Sequence, residues 1–151
     1  MSVDTMKRLS ELPNIVGVKD ATGDVGRVSR QRHAIGSDFI QLSGEDMTAL
    51  AAMAAGGHGC ISVTANIAPE LCAELMESVF KDDWDHALKI QDRLAPLHVA
   101  IFAEPGVNGT KYALNLLGRV RNETRLPLIP VSQTTEALIR RAMVHASLLN
   151  A

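Results

Sequence analysis

The chain has 151 residues, enough for one domain with a hydrophobic core. Hydrophobic residues make up 46% and charged residues 21%, which is typical of a globular protein, and the formal net charge of −2 gives no electrostatic reason to expect nucleic acid or an anionic membrane as a partner. Aromatic residues amount to only 3%, which argues against a base-stacking surface, and no apolar run reaches the length of a transmembrane helix.

The N-terminus and the two cysteines bear on the cellular compartment. The opening residues, Met-Ser-Val-Asp-Thr-Met-Lys, lack the charged and then apolar segments of a secretory signal peptide. Cys60 and Cys72 have no further Cys or His at metal-ligand spacing, so we predict no metal site. Two buried thiols that pack as small hydrophobic side chains fit a reducing environment. The sequence therefore predicts a cytoplasmic protein.

The first 68 residues alternate between helical and extended patterns. We predict helices at 2–12, 24–33 and 46–55, and strands at 15–18, 39–42 and 59–63. Ser2 and Asp24 are placed to cap the first two helices. The strands are short and nearly all apolar, and a helix separates each pair, so parallel pairing with right-handed crossovers is expected. No Gly-x-Gly-x-x-Gly sequence opens a helix after a strand, which excludes the dinucleotide-binding fingerprint.

Residues 69–151 show helical patterns throughout, which predicts a second, all-helical subdomain. Pro69 suits the first position of a helix that runs to about Phe80. A long helix is predicted next, with a kink at Pro96, from apolar residues at steps of three and four: Ala87, Ile90, Leu94, Leu97 and Ile101. A short helix at 111–117 follows. A final helix is capped by Ser132 or Thr134 and has an apolar face formed by Leu138, Ala142, Ala146 and Leu149.

Three parallel strands are too few to form a closed sheet. A barrel needs about eight strands and roughly 250 residues. As an open sheet, three strands would leave two apolar edges without partners. We therefore expect this chain either to pair with a missing N-terminal half or to associate into a homo-oligomer.

Lys19 is the most informative candidate for chemistry, because it follows the first predicted strand. A lysine at the carboxyl end of a barrel strand points into the region where barrel enzymes carry out their reactions. Desolvation disfavours the ammonium form and supplies a neutral amine that can attack a carbonyl. The alternative is a lysine that leaves the strand for solvent, with Asp20 solvated beside it. Position alone leaves both interpretations open.

The sequence around Lys19 resembles a known motif. Gly17–Gly23 (Gly-Val-Lys-Asp-Ala-Thr-Gly) is similar to the imine-forming lysine motif of the dihydrodipicolinate synthase and N-acetylneuraminate lyase superfamily. Leu42–Asp46 resembles the next strand end of that family, and Gly56–Asn66 resembles the one after it, in the form that dihydrodipicolinate synthases favour. The resemblance covers essentially the whole chain. It implies an α/β fold in which residues 1–68 are the last three βα units of a (β/α)8 TIM barrel and residues 69–151 a helical C-terminal subdomain.

The resemblance also implies roles for individual residues. Lys19 would form a Schiff base with pyruvate, Ile61 would contact the bound pyruvate through its backbone, and Gly44 would line the same pocket. Without the lysine motif, simple packing for Ile61 and a tight turn for Gly44 would be the preferred interpretations. The family condenses pyruvate with aspartate semialdehyde on the way to diaminopimelate and lysine. Because the imine itself stabilises the carbanion, no metal or cofactor is expected.

Part of the family's catalytic apparatus has no counterpart in this sequence. The resemblance places a proton-relay tyrosine and a substrate-binding arginine upstream of the lysine, whereas Tyr112 and Arg8 lie in no family motif. Two further hypotheses therefore remain open: a non-catalytic half-barrel that serves in assembly, and a different pyruvate-dependent aldolase of the superfamily. His58 precedes the third strand and is predicted to be structural, and Glu45 and Asp46 are predicted to cap a helix.

Overall fold

The computed structural model describes residues 1–150 and divides the chain into two compact units. The sheet unit, Met1–Ser62, contains α1 (Val3–Ser10), β1 (Gly17–Asp20), α2 (Gly26–Ile35), β2 (Ile40–Ser43), α3 (Ala49–Ala54) and β3 (Gly59–Cys60). The helical unit, from Val63 onward, contains α4 (Pro69–Phe80), α5 (Trp84–Ile101), α6 (Gly106–Leu116) and α7 (Gln133–His145). The units meet after residue 62, whereas the sequence prediction placed the domain boundary after residue 68.

The three strands pair in parallel in the order β1-β2-β3, as their apolar sequences and intervening helices predict. Gly17 lies opposite Ile40 and Lys19 opposite Leu42, while Leu42 also lies opposite Gly59. Gly17 is required by this close pairing, because a Cβ at that position would lie 2.5 Å from the carbonyl oxygen of Ile40. The register therefore places Lys19 one residue before the carboxyl end of β1.

The two faces of this sheet have different environments. Alternate residues of a strand point to opposite faces, so Gln41 and Ser43 share one face of β2 and Ile40 and Leu42 share the other. Gln41 and Ser43 are buried, beside residues of α2 and α3. Ile40 is 40% exposed and Lys19 is also exposed, along an open groove that includes Leu42. One face is thus covered by helices, and the described part of the sheet unit leaves the other uncovered.

The strand boundaries differ from the sequence prediction. The predicted strand at 15–18 is shifted, because regular pairing begins only at Gly17, opposite Ile40, and continues through Asp20. Lys19 therefore lies within β1 rather than after it. The third predicted strand, 59–63, is reduced to Gly59–Cys60, because its ladder ends with β2 at Ser43. Partner strands set these limits, and a single segment does not reveal them.

The helix starts in the sheet unit confirm the cap predicted at Ser2, confirm in part the cap predicted at Glu45 and Asp46, and correct the one predicted at Asp24. Ser2 caps α1 by accepting a hydrogen bond from the Thr5 amide. Glu45 accepts from the Met47 amide at the start of a 3-10 turn, which precedes the short α3 in place of one longer helix. The prediction for Asp24 was wrong. α2 begins after Val25 without a side-chain cap, and the Asp24 carboxylate instead pairs with Arg30.

The helical unit has a continuous apolar core. Pro69 occupies the start of α4 as predicted, and α5 continues on both sides of Pro96. Ser132, rather than Thr134, caps α7. The core residues of this unit with at most 2% exposure are Ile67, Ala87, Leu94, Leu97, Ala100, Ile101, Ala113, Ile139, Met143 and Ala146. Within residues 1–150, no helix combines the length and the apolar character needed to cross a membrane.

One helix of this unit begins earlier than predicted. α6 starts at Gly106 instead of residue 111, because glycines at 106 and 109 hide its helical pattern. A Cβ at Gly109 would lie 2.5 Å from the carbonyl oxygen of Ile101, so glycine lets α6 approach the end of α5. Close packing outweighs the poor helix propensity of glycine at this position.

Candidate functional site

Lys19 lies on the uncovered face of the sheet, near the carboxyl end of β1. Its side chain is exposed and separates two open grooves. One groove is lined by Ile40 and Leu42 of β2, and the other by Met6 and Arg27. The burial that the sequence analysis expected for Lys19 is therefore not provided by the described residues. Any desolvation of its amine has to come from a further segment or molecule.

Gly44 directly adjoins the Lys19 side chain. Its amide donates a 2.8 Å hydrogen bond to the carbonyl oxygen of Asp20, which ties the end of β2 to the end of β1. A Cβ at Gly44 would lie 2.7 Å from Lys19 Cε and 2.9 Å from the Cβ of Ala21. Only glycine leaves the path of the lysine side chain open without a rearrangement. Gly44 thus has a steric role beside Lys19 that a tight turn alone would not require.

Ile61 lies just after β3, on the same carboxyl edge of the sheet. Its amide donates a 2.8 Å hydrogen bond to the carbonyl oxygen of Ser43, and its side chain is 46% exposed. The expectation of a buried strand residue was therefore wrong for this chain, because regular pairing stops at Cys60 and no described element covers Ile61. The strand ends nevertheless bring Lys19, Gly44 and Ile61 to one edge of the sheet, as parallel topology requires.

Asp20 has a role that was not predicted from the sequence, and its side chain is only 16% exposed instead of fully solvated. Its carboxylate accepts hydrogen bonds from Arg27 Nε (2.7 Å), from Gln31 Nε2 (2.7 Å), and from the Thr22 amide (3.0 Å) and hydroxyl (2.7 Å). Burial would raise the pKa of the Asp20 carboxyl, but these hydrogen bonds from Arg27, Thr22 and Gln31 outweigh burial and lower the pKa to about 2. We call these four residues the Asp20 clamp. The Asp-x-Thr turn at residues 20–22 was the local signal that could have revealed part of it.

The remaining polar candidates have structural contacts. His58 Nδ1 accepts from the Gln41 amide at 3.0 Å, and the His58 amide donates to the Gln41 carbonyl at 2.8 Å, so His58 extends the pairing of β2. The buried carboxylate of Asp46 accepts a hydrogen bond from the Ser62 hydroxyl. Tyr112 is 8% exposed in the core of the helical unit. Among residues 1–150, no cluster of three or more His, Cys, Asp or Glu side chains is arranged to hold a metal ion.

The two cysteines lie on the predicted elements but are less buried than expected. Cys60 ends β3 and Cys72 lies on α4, and both side chains are half-buried. Neither forms a disulfide.

Comparison with known proteins identifies the family. Residues 1–146 match the Dihydrodipicolinate synthetase family. The chain belongs to this family. It is 71% identical over 150 residues to the 4-hydroxy-tetrahydrodipicolinate synthase of Rhodopseudomonas palustris, a match that covers 99% of this chain and 51% of the relative. The corresponding enzyme of Nitrobacter hamburgensis is 67% identical, also over 99% of this chain and 51% of the relative.

Solved structures of dihydrodipicolinate synthases share the fold. The chloride-inhibited enzyme of Acinetobacter baumannii, in complex with pyruvate, superimposes with a TM-score of 0.92 at 38% identity, over 98% of this chain and 51% of that one. The Thermotoga maritima enzyme gives a TM-score of 0.91 at 36% identity, over 97% and 51% of the two chains. The present chain thus spans about half the length of the dihydrodipicolinate synthases it matches. Its α/β fold with a small parallel sheet is the fold of the corresponding half of those enzymes.

Proposed function

We propose that this chain is the C-terminal half of a class I aldolase-type lyase that condenses pyruvate with aspartate semialdehyde through a Schiff base on Lys19. The proposal rests above all on one observation. Lys19 lies at the carboxyl edge of a parallel sheet, and the absence of a side chain at Gly44 keeps its path open. The relatives of the same family, named 4-hydroxy-tetrahydrodipicolinate synthases, support the choice of reaction.

The proposed chemistry uses the Lys19 amine as a nucleophile. Its neutral form attacks the ketone carbon of pyruvate, a carbon–nitrogen bond forms, and water leaves to give an imine. Loss of a proton from the pyruvate methyl group gives an enamine, which adds to the aldehyde carbon of the second substrate, and the resulting alkoxide takes up a proton. Cyclisation of the product then breaks its bond to nitrogen and releases the Lys19 amine. Gly44 leaves room for the lysine side chain, and Ile61 lies on the same edge of the sheet, where it can border the bound ketoacid. No cofactor takes part in this scheme.

The complete site, in this proposal, requires the other half of a (β/α)8 barrel. The uncovered face of the sheet is the surface that such a half would cover, and its strands would supply the desolvation that Lys19 lacks here. A general acid–base group would come from the same half, since the only tyrosine in the sequence, Tyr112, is packed in the helical core. In this scheme the complete protein would work in the cytoplasm as a homo-oligomer, and the chain alone would be inactive.

The test uses a completed chain, in which the first half of the Rhodopseudomonas palustris relative is fused in front of residues 1–151. We expect borohydride in the presence of pyruvate to reduce the imine to a stable secondary amine, found by mass spectrometry on the peptide that contains Lys19. Lys19→Arg should abolish this adduct and reduce lyase activity by about 10³-fold or more, because a guanidinium stays protonated and is a poor nucleophile.

Lys111→Arg is the matched control, since Lys111 Nζ donates to the backbone carbonyl of Glu123 in the helical unit. This variant should be trapped as efficiently as the unsubstituted completed chain. A saturable pyruvate adduct on Lys111, with Lys19 unmodified, would refute the assignment. Unchanged circular dichroism of both variants would show that any loss at Lys19 is chemical.

A non-catalytic half-barrel that serves in assembly is the second candidate, favoured by the exposed apolar groove beside Ile40 and Leu42. Residues 1–151 alone should then associate, because the uncovered sheet face and the free edge of β1 favour pairing. Light scattering measures this. A stable monomer would contradict the predicted association. If residues 1–151 associate and the completed chain forms no borohydride-reduced adduct on Lys19, this candidate is favoured over the lyase.

A further inference from the structure

The Asp20 clamp joins β1 to α2 immediately beside Lys19. Successive residues of a strand point to opposite faces, so the Lys19 side chain lies on the uncovered face and the Asp20 carboxylate on the helix-covered face. Both partners of the Asp20–Arg27 ion pair are largely buried, with side-chain exposures of 16% and 15%. The carbonyl of Asp20 also accepts from the Gly44 amide. One residue thus fixes the end of β1 to both α2 and β2.

Arg27 links this clamp to the surroundings of the Lys19 amine. Arg27 and Lys19 line the same open groove, together with Asp20. The other groove beside Lys19 is lined only by uncharged residues. The Asp20 carboxylate and the Arg27 guanidinium are therefore the charged side chains that line the grooves beside Lys19.

We propose that Asp20 is a positioning residue for Lys19, which holds the end of β1 in place and neutralises the charge of Arg27 in the groove that Arg27 shares with Lys19. This inference rests on the proposed function of Lys19 and adds a residue to which no role in the reaction has been given. Asp20 touches neither substrate nor product in this scheme. It acts through the backbone of β1 and through Arg27.

The proposal makes a prediction that a purely structural role would not make. Replacing Asp20 by Asn leaves the Arg27 charge unbalanced, which disfavours the ammonium form of Lys19, so the pH midpoint of pyruvate trapping should fall. Replacing Arg27 by Gln leaves the Asp20 charge unbalanced, so the midpoint should rise. Each shift should be at least about 0.5 pH unit, because the completed barrel would exclude water from the site and screen the charge less than bulk water does.

The experiment measures, as a function of pH, the rate at which borohydride traps the imine of pyruvate on Lys19. It compares the completed chain with its Asp20→Asn, Arg27→Gln and double variants. The double variant should return the midpoint to that of the unsubstituted protein. The matched control is the Asp24–Arg30 ion pair of the same turn and helix, with side chains 49% and 56% exposed. Asp24→Asn and Arg30→Gln should leave the midpoint unchanged.

The outcomes separate this inference from the proposed function. If the unsubstituted completed chain forms no adduct on Lys19, both fail. If it forms the adduct, and both single variants form less adduct with an unchanged pH midpoint, the proposed function stands and Asp20 is merely structural. Circular dichroism identifies a variant that does not fold. Should Asp20→Asn be that variant, the direction of the shift in Arg27→Gln decides the question alone.

Discussion

The sheet unit and the helical unit bury their residues in different ways. Of the largest side chains with less than 2% exposure, Gln31 is the only member from the sheet unit among residues 1–150, and it is polar. The remainder belong to the helical unit: Ile67, Leu94, Leu97, Ile101, Ile139, Met143 and Thr64. The helical unit therefore encloses an apolar core of its own, whereas the sheet unit buries smaller or less completely enclosed apolar side chains, among them Met6, Phe39 and Leu50, and leaves apolar residues such as Ile40 exposed.

This difference shows where stability and function reside. Burial of apolar surface is the dominant favourable contribution to folding, so a unit that leaves one face of its sheet uncovered gains less from it than the helical unit does. In the present chain that uncovered surface carries Lys19. The part of the protein proposed to do chemistry is thus the part that is least complete by itself, and the helical unit is its self-contained counterpart.

Truncation of one aliphatic side chain in each unit gives the largest expected contrast. Leu97→Ala should destabilise residues 1–151 by about 2–5 kcal/mol, because Leu97 has 0% exposure and its removal leaves a cavity. Ile40→Ala should cost under about 1 kcal/mol, because Ile40 is already 40% exposed. Urea unfolding monitored by circular dichroism measures both. Equal losses would show that the sheet face is covered in solution, for instance by a second copy of the chain.

Acid unfolding sharpens the comparison at the Asp20 clamp. The folded-state pKa of about 2 lies below the ordinary value of 3.8, so the associated stabilisation is present above about pH 4 and is lost as the pH falls towards 2. After allowance for solvent screening, we expect about 1–2 kcal/mol from this shift. Asp20→Asn should remove that pH dependence from the sheet unit. Asp24→Asn, at the exposed pair, should leave it unchanged, and an equal loss in both variants would contradict this role of Asp20.

The alternation of helices and strands was predictable because each element has its own local period. Pro69 and Ser2 marked helix starts correctly, since a cap depends on residues within one turn. Strand limits were not predictable in the same way. Lys19 belongs to β1 because Leu42, more than twenty positions further along the chain, pairs with it, and no local pattern encodes that register.

The candidate site was predictable only where a continuous motif carries it. Lys19, Gly44 and Ile61 each lie in a short sequence that resembles the family, and the parallel sheet gathers the three strand ends at one edge. The Asp20 clamp joins Asp20 to Arg27 and Gln31, which lie seven and eleven positions further along the chain, through packing of a strand on a helix. Neither the spacing nor the residue types distinguish such a clamp from ordinary exposed charges, so only the folded chain reveals it.

The smallest effect on stability is expected at Glu104 of the helical unit. Like Asp20, Glu104 has a carboxylate that accepts several hydrogen bonds, but it lies on the surface. Glu104 Oε1 accepts hydrogen bonds from the Ser132 amide at 3.0 Å and the Ser132 hydroxyl at 2.7 Å. The hydrogen bonds from the side chains of Ser132 and Thr135 and from the Ser132 amide lower the pKa of Glu104 below its ordinary value. Because the folded-state pKa is lowered, the stabilisation is present above the ordinary pKa of a glutamate and is lost as the pH falls below it.

Glu104→Gln keeps an oxygen acceptor for Ser132 but removes the charge at the start of α7, where a negative charge interacts favourably with the helix dipole. The variant should therefore lose slightly less stability than the parent chain when the medium is acidified, and the difference should shrink at high salt. Thermal unfolding between neutral and acidic pH measures it. Glu70→Gln, at an exposed glutamate in the first turn of α4, is the matched control for the lost charge. If both variants show the same acid dependence, the contact with Ser132 contributes nothing to acid stability beyond the net charge of Glu104.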